Sequence, residues 1–371
     1  MEFTEDEQSE KEFYLKIYDG YSNHKNSIGN QFEPTKYVSN VELKCLETFQ
    51  LDFVPYCLTH CHIPSSGKGC ENILLLSGSD DLIHGFRKDF FSKVVEGLKE
   101  EHSSDGKANK AVSDTVKAKA SFYEIEDDEM VHLFPEFSQP TPSPAISLSF
   151  SYHKTDIVSQ RWSVIGCQDG QLQVFQIDSM KNEVLKVFED LEFAGIGGIH
   201  HARFFTMPKN VRGDNPIFNL IVVPSLERSA LYIDITNPDK ELHLDKETQM
   251  LQNSSDFDSV NGCTILDIDG DGFPEIVLGT YGQELIIYKI SQENNDDKEL
   301  DSNSSSNRIP NWMVWIRKSF TYPILAVEGW EMASDPTKPN HEDFTTSILA
   351  VTTIKTIHIL QYDKNVQNRD E

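Results

Sequence analysis

Residues 256–288, DFDSVNGCTILDIDGDGFPEIVLGTYGQELIIY, decide the fold. An apolar run that ends at Leu266 leads into an acidic loop, and a second apolar run starts at Ile276. The second run continues through a glycine-containing turn into a third, residues 285–288. Short runs rich in β-branched residues and bounded by Gly, Asp or Pro are typical of strands. The stretch therefore predicts strand, acidic loop, strand, turn and strand, in that order.

The acidic loop, residues 267–275, has the composition of a calcium-binding loop. Its carboxylates occupy loop positions 1, 3, 5 and 9, and Gly272 stands at position 6, where the backbone must turn sharply. Ca²⁺ is a hard cation that takes oxygen ligands from carboxylates and backbone carbonyls. We therefore predict a Ca²⁺ site whose ligands are the side chains of Asp267, Asp269, Asp271 and Glu275 and the carbonyl of Phe273.

Two other interpretations of this loop compete with the calcium site. An EF-hand is excluded, because its twelfth position is Leu278, which has no carboxylate, and both flanks resemble strands. A metal-free turn remains an alternative, since Asp side chains readily accept hydrogen bonds from their own backbone. Four carboxylates within nine residues repel one another unless a cation or several donors neutralise them, which favours the cation. Both interpretations predict the same strands.

The strand, turn, strand pattern occurs five times along the chain. Its copies are residues 73–86, 162–175, 220–233, 275–288 and 347–360, and a further apolar segment precedes each copy. Such a unit has the strand content of a β-propeller blade of roughly 40–50 residues. A two-sheet sandwich uses the same local signals, but repetition of one unit favours radial sheets. We therefore predict an all-β chain of the β-propeller class, FG-GAP or WD40-like, with about five to six blades.

The predicted domain organisation is one propeller over residues 13–362. Polar segments at 98–121 and 291–307 contain too few large apolar groups to bury a core, so we expect mobile insertions there. An acidic lead, residues 1–12, and a polar tail, residues 363–371, are expected to be disordered.

The charge of the chain limits its partners. Sixty acidic against 33 basic residues give a formal net charge of −27, which repels both a nucleic-acid backbone and an anionic membrane surface. No apolar run approaches the ~18 residues of a membrane span, and no secretory signal pattern opens the sequence. We therefore expect a cytoplasmic protein without direct membrane insertion, whose six cysteines are free thiols.

The sequence gives little support for a zinc site or for an enzyme. In a strand, Cys57 and Cys61 would face one side and His60 and His62 the other, which disfavours a tetrahedral zinc site. The chain has no G-x-S-x-G, P-loop or H-E-x-x-H motif. We therefore do not expect an enzyme.

Two further groups of residues allow both a structural and a functional interpretation. His200 and His201 are adjacent, so a strand would place one ring in the core and the other in solvent. Trp312, Trp315 and Trp330 lie within 20 residues of one another. Tryptophan is frequent at binding hot spots but also packs blades, so both interpretations of the three remain open.

Several short motifs together resemble the kaptin family of FG-GAP propeller proteins. They occur in the family's order over about residues 11–362. The motifs are LLSGSDDLIH at 75–84, HLFPEF at 132–137, GCQDGQLQV at 166–174, DFDSV at 256–260, the loop 267–272 followed by Pro274-Glu275, TYGQEL at 280–285 with Tyr288-Lys289, and HILQ at 358–361. The acidic loop also resembles the calcium loops of integrin-α propellers.

The resemblance implies a scaffold function. Kaptins are subunits of the KICSTOR complex at the lysosomal surface, which recruits the Rag-directed GTPase-activating complex and restrains mTOR signalling when amino acids or glucose are scarce. The family pairs with a second FG-GAP propeller protein and attaches to a large scaffold subunit. Kaptins are also associated with actin filaments in lamellipodia and stereocilia.

Some features of the sequence bear on these alternatives. Kaptins continue upstream of the segment that resembles residues 11–18, so we expect a propeller that is open or irregular on its N-terminal side. Binding to acidic actin would need a basic patch, and Lys107–Lys119 is the only modest candidate. A calcium-regulated adhesion propeller is disfavoured, because no secretory or transmembrane segment was found.

Overall fold

The computed structural model describes residues 12–22, 41–65, 69–89, 121–154, 159–190, 193, 197–208, 217–236, 248–254, 256, 258–291, 311–332 and 346–362. These residues form 21 β-strands, one α-helix and one 3₁₀ turn, which confirms the predicted all-β class. The strands assemble into six antiparallel sheets. The chain divides into two compact units, Met1–Met130 and Val131–Glu371.

Unit 1 contains a two-stranded and a four-stranded sheet. Its strands are β1 (Phe13–Ser22) and β2 (Val41–Leu51) in the first sheet, and β3 (Pro55–Ser65), β4 (Gly69–Gly78), β5 (Ile83–Asp89) and β6 (Ser121–Glu124) in the second. The segment FYLKIY, residues 13–18, is the start of β1. Leu15 of β1, Leu76 of β4 and Phe86 of β5 belong to one buried cluster, so the two sheets share a core.

Unit 2 contains four sheets in chain order. Their strands are β7 (Ala145–Lys154), β8 (Ser159–Cys167), β9 (Leu172–Asp178) and β10 (Glu183–Asp190); β11 (Ile199–Met207), β12 (Ile217–Pro224), β13 (Ala230–Tyr232) and β14 (Thr248–Met250); β15 (Val260–Leu266), β16 (Glu275–Thr280), β17 (Glu284–Ile290) and β18 (Trp312–Ser319); and β19 (Ile324–Met332), β20 (Thr346–Thr353) and β21 (Ile357–Gln361). Within each sheet, each strand pairs with the next along the chain.

The sheets of unit 2 stack face to face, and this explains the unbroken apolar runs. In β12, Leu220 and Val222 face the preceding sheet, whereas Ile221 and Val223 face the following one. Because side chains alternate along a strand, a strand that is buried on both faces needs apolar residues at every position. A two-layer sandwich would bury only one face of each sheet, so this pattern favours the propeller.

The first strands of the sheets in unit 2 converge. Arg203 of β11 and Glu328 of β19 form an ion pair of 3.3 Å, although the whole sheet β15–β18 lies between them in the chain. Asn261 Nδ2 of β15 also donates a hydrogen bond of 3.0 Å to the carbonyl of Ile324 at the start of β19. Sheets that fan out from converging first strands have the arrangement of propeller blades. The fold class is therefore a β-propeller, with five blade sheets, one in unit 1 and four in unit 2.

All five predicted hairpins are confirmed, and the fourth strand of the four blades that have one was missed. The hairpins are β4–β5, β8–β9, β12–β13, β16–β17 and β20–β21. The unpredicted fourth strands are β6, β10, β14 and β18. These outer strands are short or carry charged residues, so their sequences lack the apolar alternation that identified the others.

Other predictions on the organisation of the chain are not tested. Apart from Glu12, Ser121 and Ser291, the acidic lead, the two polar insertions and the tail lie outside the described residues. The single domain 13–362 and the open N-terminal side stay predictions. The α-helix in the described part of the chain, α1 (Asp127–Leu133), is too short to cross a bilayer.

Candidate metal centre between β15 and β16

The acidic loop connects β15 to β16, as predicted. Leu266 and Glu275 are the last pair of that ladder, so the strands hold both ends of the loop. Within the loop, Gly270 and Gly272 have φ angles of 68° and 89°. This left-handed conformation is costly for residues with a Cβ atom, which explains the two glycines and confirms the sharp turn at Gly272.

Carboxylates of the loop accept hydrogen bonds from its own backbone. The amide of Gly272 donates to Asp267 Oδ2 at 2.8 Å, and the amide of Asp271 donates to Asp267 Oδ1 at 3.1 Å. The amide of Phe273 donates to Asp271 Oδ1 at 2.8 Å. These contacts are those of the metal-free alternative, and they fix the loop with or without an ion.

Three of the five predicted ligands come together. Asp267, Asp269 and Glu275 each offer a carboxylate oxygen, and the three oxygens lie within 4.8 Å of one another. The carboxylate of Asp271 is not part of this group. The arrangement fits a hard cation in its donor chemistry, because all three ligands are carboxylates.

Glu275 is the buried member of the group. Its side chain is 0% exposed, and its Oε2 accepts a hydrogen bond of 2.7 Å from the amide of Ile268. Burial raises the pKa of Glu275 to about 7, although this bond and Lys289 oppose the shift. A buried carboxylate that keeps part of its charge at neutral pH needs a positive neighbour.

Lys289 supplies that positive charge, and the sequence analysis missed it. Its Nζ lies 2.5 Å from Asp269 Oδ2, 2.6 Å from Asp271 Oδ2 and 3.1 Å from Glu275 Oε1. Burial lowers the pKa of Lys289, but its hydrogen bonds to these carboxylates outweigh that effect, and the net pKa is raised. The ammonium group therefore stays charged and neutralises the loop from within the chain.

The hairpin register could have identified Lys289. Ile276 pairs with Tyr288, so Glu275 and Lys289 are the next residues along the two strands. Opposite charges at facing positions of antiparallel strands attract each other. Extending the two-strand pattern of 275–288 by one residue places Lys289 opposite Glu275.

The centre also contacts the next sheet. The hydroxyl of Ser347 at the start of β20 donates a hydrogen bond to the carbonyl of Asp267. The Lys289 ammonium lies 5.1 Å from the ring centroid of Trp315 on β18, a cation–π distance. The acidic loop thus joins the sheet β15–β18 to the sheet β19–β21.

Replacing Lys289 by Met is expected to lower the free energy of unfolding by about 2–3 kcal/mol in the presence of EDTA. Three carboxylates, one of them buried, would lose their positive partner. Thermal melting of the full chain measures the change. Lys181→Met is the matched control, because the Lys181 side chain is 67% exposed. Equal melting of Lys289→Met and the control would contradict the assignment of Lys289 as the neutralising group.

The cysteine and histidine cluster has the predicted alternation. Cys61 is buried and Cys57 is half-buried, whereas His60 and His62 are exposed. The two rings pack edge to face with their centroids 5.2 Å apart. The four side chains therefore lie on opposite faces of β3.

Of the two adjacent histidines, one is buried and the other contacts a backbone carbonyl. His201 is the packed one, as predicted for one of the two: its Nε2 is buried without a hydrogen-bond partner, and burial lowers its pKa to about 4. His200 does not simply face solvent, because its Nδ1 lies 3.1 Å from the carbonyl of Val260. A register shift between Ile199 and His201 disturbs the strict alternation on which the prediction relied.

The three tryptophans have different environments. Trp312 is 0% exposed, Trp315 packs partly buried against a core cluster, and Trp330 is 53% exposed. The packing interpretation therefore holds for Trp312 and Trp315. Trp330 is the tryptophan of this group that is available to a partner.

Blade sheets that fan out from converging first strands, with an acidic loop between the first two strands of one blade, define this chain as a β-propeller protein. Residues 2–102 and 115–369 match the family model described as KICSTOR complex protein kaptin. The chain therefore belongs to the kaptin family, and the family predicted from the motifs is confirmed.

Individual relatives agree with the family model. The chain is 27% identical over 363 residues to the KICSTOR complex protein kaptin of Mus musculus, which covers 97% of this chain and 68% of the mouse protein. Among solved structures, it matches a chain in the crystal structure of BBS1N in complex with ARL6DN, soaked with lead, with 11% identity and 84% and 82% of the two chains covered. The TM-score of 0.36 is too low for that likeness to support an inference.

Proposed function

We propose that this chain is a non-enzymatic scaffold subunit of the KICSTOR complex. In this role it pairs with a second FG-GAP propeller protein, attaches to a large scaffold subunit and helps to recruit the Rag-directed GTPase-activating complex to the lysosomal surface. It thereby restrains mTOR signalling when amino acids or glucose are scarce. The observation that carries the proposal is the match to the kaptin family model along nearly the whole chain.

The chemistry of the buried polar residues supports a role without catalysis. Burial raises the pKa of the Cys263 thiol to about 12, so this cysteine is a poor nucleophile at neutral pH. The pKa of His201, lowered to about 4, keeps that ring neutral. The propeller offers stacked sheets and their edges, which suit the binding of other proteins.

Affinity capture of the tagged full chain, followed by quantitative mass spectrometry, tests the proposal. We expect the other KICSTOR subunits to be enriched over a control capture. Enrichment of actin-network proteins without these subunits would instead support the alternative of an actin-associated protein in lamellipodia. Recovery of neither group would contradict both functions.

We also propose that the acidic loop binds Ca²⁺ through Asp267, Asp269 and Glu275, with Asp271 and the carbonyl of Phe273 as the further ligands predicted from the sequence. The close approach of the three carboxylates supports this proposal. Lys289 already neutralises part of the same group, so the ion and the ammonium compete for Asp269 and Glu275. Calcium binding therefore requires Lys289 to move or to share these oxygens.

Saturating Ca²⁺ is expected to stabilise the chain, and Asp269→Ala is expected to abolish the effect. A ligand that binds only the folded state adds about 2.7 kcal/mol at 100 times its dissociation constant. Thermal melting with calcium and with EDTA measures the effect for wild type, Asp269→Ala and the exposed control Glu183→Ala. Identical melting of wild type in the two buffers would contradict calcium binding. Lys289→Met should bind calcium more tightly than wild type, because the competing charge is gone.

A further inference from the structure

The last sheet of unit 2 has fewer strands than the other blade sheets. Within the described ranges, β19, β20 and β21 form a three-stranded sheet, whereas the other three sheets of unit 2 have four strands each. β21 is therefore an edge strand at the position where the other sheets continue with one more strand. Unpaired edges of this kind are templates for the addition of a strand from another chain.

Among the described residues, no strand pairs with the outer side of β21. The amide of Thr353 donates to the carbonyl of Thr356 at 2.8 Å across the β20–β21 turn. Because hydrogen-bonded and non-hydrogen-bonded pairs alternate along an antiparallel ladder, Ile357, Ile359 and Gln361 point their N–H and C=O groups away from β20. Ile357 and Ile359 are also 68% and 63% exposed.

The fourth strands of other sheets place aromatic side chains into the core between blades. Trp312 of β18 lies in the cluster between the sheets β11–β14 and β15–β18, where it meets Phe205 edge to face at 6.1 Å. Phe188 of β10 stacks on Trp162 at 6.3 Å. In these two sheets the fourth strand therefore contributes an aromatic residue as well as hydrogen bonds.

The interface between the last two sheets contains a cavity where such a residue would fit. The cavity measures about 210 Å³, and its walls include Leu285 and Ile287 of β17 and Leu349 and Leu360 of the last sheet. Gln361 and Tyr362, at the end of the free edge, also line it. An apolar cavity of about 150 Å³ already accommodates a benzene ring, so this one is large enough for an aromatic side chain.

Charges near the edge favour an acidic partner segment. Lys318 is the charged residue among the described residues that line the cavity. Residues 354–362, IKTIHILQY, contain Lys355 and His358 but no Asp or Glu, in a chain with 60 acidic residues. Opposite charge across an interface favours the matching partner and disfavours others.

We propose that the free edge of β21 binds an extended segment of a partner protein, which adds a fourth antiparallel strand, inserts an aromatic side chain into the cavity and places a carboxylate near Lys318. The proposal rests on the proposed function in that it takes the partner to be another subunit of the complex. Main-chain hydrogen bonds supply affinity, and the cavity supplies specificity.

The experiment combines a peptide probe with a backbone variant. A displayed library of peptides of about ten residues with a central Phe, Tyr or Trp is selected on the full chain. Ile359→Pro removes an outward N–H that only an added strand uses, and edge strands tolerate proline. Ile359→Thr trims the same side chain but keeps the N–H. Selected peptides should bind Ile359→Pro at least about tenfold more weakly than wild type and bind Ile359→Thr within about threefold.

Amide hydrogen exchange reveals which occupant uses the edge. We expect the amides of Ile357, Ile359 and Gln361 to exchange fast in the free chain and slowly with a selected peptide. Slow exchange in the free chain at low concentration would mean that the chain covers its own edge. Protection that appears as concentration rises would mean that a second copy binds there. Either result overturns the proposal.

Two further outcomes complete the test. Selection of no binding peptide, or equal binding to Ile359→Pro and wild type, also overturns the proposal. Unchanged protection of the β20 amides shows that Ile359→Pro is folded. Failure of the proposed function gives a different result, namely the absence of KICSTOR subunits from a wild-type capture, whatever the peptides do.

Discussion

Replacing Arg161 by Met is expected to lower the free energy of unfolding by about 3–5 kcal/mol. Arg161 of β8 and Glu136 of the 3₁₀ turn (Pro135–Phe137) form an ion pair of 2.8 Å in which both side chains are 0% exposed. The same guanidinium donates to the carbonyl of Leu133 at 3.1 Å and lies 4.9 Å from the ring centroid of Phe134. Its loss would leave a buried carboxylate without a positive partner, which is far more costly than losing an exposed pair.

The loss of unfolding free energy caused by Arg161→Met should depend on pH. Burial raises the pKa of Glu136, and Arg161 opposes that shift, so the variant raises the pKa further. A carboxyl whose pKa is higher in the folded than in the unfolded state loses stability as pH rises between the two values. The variant should therefore be less stable relative to wild type at pH 8 than at pH 5.

Tryptophan fluorescence is the measurement for this variant, because all four tryptophans of the chain lie in unit 2. The double variant Arg161→Met, Glu136→Leu is the control, since it removes both charges and should recover most of the lost stability. A single variant as stable as wild type, or a double variant no better than the single one, would contradict the structural role of the pair.

Replacing Trp312 by Ala is expected to lower the free energy of unfolding by about 3–5 kcal/mol. The side chain is 0% exposed and lies in the core cluster between the sheets β11–β14 and β15–β18, beside Phe205. Removing it leaves a cavity between two blades and weakens their packing.

Trp330→Ala is the matched control for Trp312→Ala. Trp330 is 53% exposed on β19, so its loss should change the stability by no more than about 0.5 kcal/mol. Urea unfolding of both variants, followed by the fluorescence of the remaining tryptophans, gives the comparison. Similar losses in the two variants would show that Trp312 does not carry the packing assigned to it. A weaker capture of KICSTOR subunits by Trp330→Ala, with unchanged stability, would identify Trp330 as a partner contact.

The pattern of apolar residues predicted the inner strands of each blade, because those strands are buried. The run LIVV of β12 and the hairpin from Glu275 to Tyr288 carry apolar residues that only a sheet between two other sheets requires. The outer strand β10, EVLKVFED, mixes charged and apolar residues, since it meets solvent. β14 has three residues and, among the described strands, pairs only with β13, so nothing local in its sequence marks it.

The acidic loop was predicted from its composition, but the group that neutralises it was not. Asp267, Asp269 and Glu275 lie within nine residues, whereas Lys289 reaches them through the register of a hairpin. The pair of Arg161 with Glu136 spans 25 residues and leaves no local pattern at all. The Arg161–Glu136 contact follows from tertiary packing, which a single sequence does not reveal.

The response of mTOR signalling to starvation tests the central claim most directly. In cells from which this chain has been removed, phosphorylation of mTOR substrates is measured after withdrawal of amino acids, with and without re-expression of the full chain. If the chain is a scaffold subunit of the KICSTOR complex, phosphorylation should stay high without it and fall when wild type is restored. A normal fall in phosphorylation in the cells that lack the chain would contradict this account.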